Sequence, residues 1–118
     1  MNTAYSFLWP ILLLVIVIAE VVAMGALTVF GKDRKILAAI AGVVGYLSIG
    51  ILFASVMVIT DGTKLAFLNA SWNASTVVLT SILAVTYFGE SLFWYQWIGV
   101  AMAVVAVVLL SVGEMATK

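Results

Sequence analysis

Apolar residues fall into four long blocks separated by three short polar breaks. The blocks cover about 7–30, 36–59, 65–88 and 93–112, and each is near the ~20 residues that a helix needs to cross a hydrocarbon core. The breaks have physical causes. Gly31-Lys32-Asp33-Arg34-Lys35 is the densest charge cluster, and Thr60-Asp61-Gly62-Thr63-Lys64 joins a turn dipeptide to two charges. Gly89-Glu90-Ser91 reads as the tightest connection. Loops this short force neighbouring helices to run antiparallel, with both termini on one side of the membrane. Pro10 falls in the first turn of the first block, where a missing N–H costs little. The pattern predicts an all-α membrane protein with four transmembrane helices in a compact bundle, one domain over residues 1–118.

Composition sharpens this picture. Of 118 residues, 66% are hydrophobic and only 8% charged, against about a quarter charged in a soluble domain. Water could not solvate so much apolar surface, whereas lipid can. The N-terminal block has no basic stretch before it and runs far past the ~7–15 apolar residues of a signal peptide, so it reads as a retained first helix. Five Lys and Arg balance five Asp and Glu, which leaves no basic field for nucleic acid. The chain has no cysteine and no histidine. That argues against disulfides, metal centres and His-based triads, so neither a cofactor nor an enzymatic activity is expected.

Lys32, Arg34 and Lys35 lie in the first break, and Lys64 and Lys118 fall on the opposite side. This small bias favours a cytoplasmic first loop and is compatible with insertion in both orientations. Trp9, Trp94, Tyr95 and Trp97 sit near block ends, where most of them suit an interfacial aromatic belt.

Glu20 is the most informative residue. It lies mid-block in Ile16-Val17-Ile18-Ala19-Glu20-Val21-Val22. A charge at that depth costs about 2.5–3.5 kcal/mol or more, so intramembrane acids usually face a bundle interior or a water-filled cavity and mark ion or proton pathways. Desolvation disfavours the charged form, which suits a proton carrier. A structural alternative is a protonated acid that only hydrogen-bonds a neighbouring helix. In the third block Asn69, Trp72, Asn73, Thr76 and Thr80 recur at steps of three and four, on one helical face. Such a stripe suits a cavity wall, with Trp72 offering a π face to a cation, or equally an interhelical hydrogen-bonding seam. Gly42, Gly45, Tyr46 and Gly50 in the second block mark close packing, with Ser48 and Ser55 adding polarity, and Tyr46 joins the candidate proton- and substrate-binding set. Gly99, Ala103, Ala106 and Gly113 form a small-residue face in the fourth block, suited to packing or dimerisation. Phosphate loops, paired carboxylates and nucleophile elbows are missing.

Three features carry a family resemblance: Ala19-Glu20-Val21-Val22 followed by a short charged loop; Trp72 after a small-residue stretch; and Tyr87-Phe88-Gly89-Glu90-Ser91-Leu92 followed by Trp97-Ile98-Gly99. With these, and in length, helix count and order, the chain resembles the small multidrug resistance family of the drug/metabolite transporter superfamily. The resemblance implies a four-helix protomer working as an antiparallel or pseudo-symmetric dimer, from two copies or from two paralogues. Glu20 would bind proton and substrate cation alternately, Trp72 would line the cavity, and Gly99 and Ala106 would lie on the dimer face. Asn69 stands where the family usually has a tyrosine, Asn73-Ala74-Ser75-Thr76 replaces a glycine-rich stretch, and Thr28 stands where many members carry a lysine. The second loop is a few residues longer. These departures mark a divergent member.

The leading expectation is proton-coupled export of a small cationic or amphipathic substrate across a plasma membrane of the bacterial inner-membrane type. A lipid-linked sugar or lipid flippase is one alternative. A non-transporting subunit of a membrane complex, using its small-residue faces for packing, is the other.

Overall fold

A computed structural model describes residues 7–116; Lys118, counted above in the charge bias, lies outside the described residues. The chain is helical in four segments: α1 (Leu8–Asp33), α2 (Ile36–Ile59), α3 (Leu65–Thr86) and α4 (Trp94–Ala116). All four are long and apolar enough to cross a membrane, which makes this a multi-pass membrane protein. The chain divides into two compact units, Met1–Leu65 and Ala66–Lys118.

In the first unit, α1 and α2 pack against each other as a hairpin. The buried positions of α1 include Trp9, Ile16 and Ala23, and those of α2 are Gly42, Ile49 and Val56. Both rows step by seven residues, the repeat that keeps one seam of a helix facing its partner. The smallest residues meet where the helices come closest. A Cβ on Gly45 would stand 2.9 Å from the Ala23 Cβ, and one on Gly42 would stand 2.5 Å from Leu27 side-chain carbons and 3.2 Å from the Ala23 carbonyl. Small residues let membrane helices approach and gain dispersion contacts where no hydrophobic effect drives them together. Ala23 beside Gly45 sets an antiparallel register. The buried rows 9, 16, 23 of α1 and 42, 49, 56 of α2 then run in opposite directions along the seam. Gly50, read from the sequence as a further close-packing position, instead has open space around it.

The first break is shorter than its charge cluster suggests. Helix α1 continues through Gly31-Lys32-Asp33, and only Arg34 and Lys35 separate it from α2. Arg34 adopts a left-handed conformation (φ 55°) and donates its N–H to the Phe30 carbonyl at 2.8 Å, a helix-ending bond that satisfies an orphan carbonyl. Extended Lys35 then starts α2, its carbonyl accepting from Ala38 and Ala39. Charged residues extend the helix because α1, at 26 residues, is about 39 Å long at 1.5 Å per residue. Its last turn therefore reaches past a ~30 Å hydrocarbon core.

At the far end of α2, Thr60 is buried and its hydroxyl donates to the Val56 carbonyl at 2.9 Å. Asp61 and Gly62 both take positive φ, and Gly62 N–H reaches back to the Met57 carbonyl at 2.9 Å. The Lys64 ammonium then lies 5.4 Å from the centre of the Trp9 ring. Trp9 is 4% exposed, so it is a packed residue, unlike Trp94, Tyr95 and Trp97, which are exposed as a membrane belt would be.

In the second unit, α3 stops at Thr86, two residues short of the apolar block, and α4 runs on to Ala116, past the expected end. Their connection, residues 87–93, is the longest of the three links, not the tightest. Gly89 (φ 68°) turns the chain out of α3, and Glu90 N–H caps the Ala84 carbonyl at 3.0 Å. Helix α4 cannot start earlier than Trp94 because the Gln96 side chain caps the Phe93 N–H at 2.7 Å, half of a capping box. No residue of α4, all of them described, is buried.

Candidate functional site

Glu20 lies midway along α1 and is half-buried. One turn further on, Ala23 makes the close approach to α2. Tyr46, exposed on α2, lies within electrostatic reach of Glu20. The hairpin therefore joins two of the candidate residues, an acid and a phenol, at the level where its helices are closest. A phenol near a membrane carboxyl can donate a hydrogen bond to the ionised form and so hold it when the proton leaves. Helix polarity near this level is otherwise absorbed locally. Thr28 donates to the Met24 carbonyl, Ser48 to Val44 and Ser55 to Ile51. The Ser48 and Ser55 hydroxyls thus satisfy their own helix and supply no seam.

The polar stripe of α3 is split by its surroundings. Thr76 is buried, Trp72 and Thr80 are half-buried, and Asn69 and Asn73 are exposed. At 100° per residue the stripe centres about 90° around the helix from buried Leu68. Trp72 and Thr76 therefore sit on the border between the buried face and the open one. Asn73 Nδ2 donates to Asn69 Oδ1 at 3.1 Å. Ser71, which the sequence reading passed over, is buried on the other side of Leu68 from the stripe. Among the described residues its hydroxyl and that of Thr76 have no hydrogen-bond partner. Serine in a helix normally hides its hydroxyl on the carbonyl four residues back, so nothing in the residue type signals an orphan.

Helix α4 places Ala103 and Ala106 in half-buried positions and Gly99 in the open, with nothing within 4 Å of a Cβ there. On the outer side of α2, Ala39, Ile40, Val43 and Val44 line a shallow groove with almost no polar surface. Among the described residues no three acidic side chains gather where they could hold a metal ion.

Compared with family models, with curated proteins and with solved structures, the chain matches none.

Proposed function

We propose that the protein is a proton-coupled antiporter that exports small or lipophilic cations. The observation that carries this reading is Glu20, a carboxyl midway along an apolar membrane helix, half-buried, with the Tyr46 phenol in its field. An acid at that depth is costly and is usually retained for ion or proton traffic. The mechanism needs one carboxyl per protomer. Protonated, Glu20 is neutral and tolerated. A cation reaching it displaces the proton, because the two compete for one carboxylate, and the proton leaves to water. Re-orientation then releases the cation on the other side, where Glu20 takes up a proton again. Coupling follows from mutual exclusion at Glu20. Tyr46 would steady the ionised carboxylate, and Asn69, Trp72, Asn73 and Thr76 would line the path. Two copies, or this chain with a paralogue, would associate through Gly99, Ala103 and Ala106 as an antiparallel or pseudo-symmetric dimer in the similar manner of the small multidrug resistance family.

The test is proton release. Quaternary ammonium, phosphonium, guanidinium and polyamine cations are added to detergent-solubilised protein in weak buffer. The native protein should release protons with at least one class, and Glu20→Gln should release none. No release with any of the four sinks the antiporter.

One observation favours a second reading. Helix α4 has no fully buried residue, and its Gly99 faces open space, as suits a packing subunit of a larger membrane complex. Such a subunit would tolerate Glu20→Gln in its assembly and would release no protons.

A further inference from the structure

The turn between α1 and α2 is basic. Lys32, Arg34 and Lys35 stand against one carboxylate, that of Asp33, which leaves two positive charges. All four residues are exposed. The Arg34 guanidinium rests 5.9 Å over the centre of the Phe30 ring, a contact that supplies no oxygen acceptor for its fork of N–H donors. The last turn of α1 reaches past the hydrocarbon core, so these charges lie at the depth of the lipid headgroups. The shallow groove of α2 opens directly below them. Its lining residues, Ala39, Ile40, Val43 and Val44, lie about 5–12 Å along α2 from Ile36, within reach of the upper part of a lipid tail. Ala39 makes the notch, because its single methyl stands among three larger side chains. Lys35, Ala39 and Val43 follow one another at steps of four, so charge and groove share one face of the helix. Turn and groove both belong to the first compact unit.

We infer that this corner of the hairpin holds one anionic phospholipid, with its phosphodiester on Arg34 and Lys35 and an acyl chain in the Ala39 groove. The two positive charges select an anionic head, and a groove with almost no polar surface selects a hydrocarbon tail. A guanidinium presents paired N–H donors that match two phosphate oxygens. Lys35 can lay its apolar stem along the helix face and keep its ammonium at the phosphate. A basic turn by itself attracts any anionic surface, and an apolar groove by itself takes any lipid chain. Stacked on one face, they recognise both ends of one molecule. Glu20 takes no part in this, so the inference stands apart from the antiporter reading.

Native mass spectrometry of the full chain tests it, with dioleoylphosphatidylglycerol or dioleoylphosphatidylcholine added to the detergent solution. The native protein should retain one phosphatidylglycerol per chain and far less phosphatidylcholine. Arg34→Asn/Lys35→Gln should lower that retention about 25-fold, since each basic residue near an anionic lipid contributes roughly fivefold. Asparagine tolerates the left-handed backbone at position 34, and circular dichroism checks that the double variant keeps its helix content. Lys64→Gln, which removes a cation beyond the other end of α2, should retain lipid as the native chain does. Ala39→Phe, which fills the groove and leaves every charge in place, should lower retention several-fold. Equal retention of the two lipids, or an unchanged value in the double variant, overturns recognition of the anionic head. Unchanged retention in Ala39→Phe overturns the seated chain. Displacement of the lipid by an equal concentration of glycerol phosphate makes the ligand a free phosphate and overturns the lipid. A dimer that Ala39→Phe dissolves, with no lipid retained by the native protein, assigns the groove to a second copy and overturns it likewise.

Discussion

At the residue scale, the costs are concentrated in groups that a bilayer cannot solvate. Glu20 is the largest of these, and Tyr46 lies within its electrostatic reach. Tyr46→Phe should keep cation-induced proton release but weaken it several-fold, because the phenol would stabilise the ionised carboxylate by one charge-assisted bond. Unchanged release would show that the tyrosine is a bystander. The orphan hydroxyls of Ser71 and Thr76 are costs of the other kind. A buried donor left unmade costs about 1–3 kcal/mol. Thr76→Val, nearly the same shape without the hydroxyl, should raise the unfolding midpoint in micelles. A lower midpoint would mean that water or a ligand occupies that hydroxyl.

At the element scale, the hairpin is held by a contact that tolerates no added carbon. Gly45→Ala drives a Cβ into the Ala23 Cβ at 2.9 Å, and relief requires the helices to part. Overpacking of this kind costs about 1–3 kcal/mol. Gly42→Ala meets mainly the Leu27 side chain, which is exposed and can rotate away, so it should cost less. Gly50→Ala meets nothing and should be neutral or stabilise by up to about 1 kcal/mol through helix propensity. Denaturant titration of the three variants in micelles should rank them in that order; equal values would mean that the close approach relaxes freely. At the end of α3, Gly89 is left-handed with open space around it. Gly89→Ala should therefore cost about 1–2 kcal/mol through backbone strain alone.

At the scale of the whole molecule, α4 is the unsatisfied part. Lipid can cover its apolar side chains, but a face of Gly99, Ala103 and Ala106 offers lipid little to grip, whereas a second helix can pack closely on it. Under the proposed dimer, Gly99→Leu should lower the yield of cross-linked dimer several-fold in membranes while leaving helix content unchanged. An unchanged yield would move the interface off this face.

The sequence by itself determined the number, order and approximate span of the helices, because a bilayer permits few ways to satisfy a backbone and apolar block length reads directly as a crossing. The block 36–59 coincides with α2 residue for residue. It also picked out Glu20, since one acid in a long apolar run is conspicuous without any neighbour. Where helices end depended on local bonds that composition does not display: the left-handed Arg34, the Gln96 cap on Phe93, and a charged last turn long enough to leave the core. Which small residues meet was also beyond the sequence. Gly42, Gly45 and Gly50 look alike on paper, yet two touch α1 and one faces open space. The α3 stripe was legible as a stripe, but its division into buried Thr76 and exposed Asn69 and Asn73 was not. Periodicity gives the angle between side chains on one helix. Only tertiary packing decides which angle is covered, and with it which polar groups are left to find a partner.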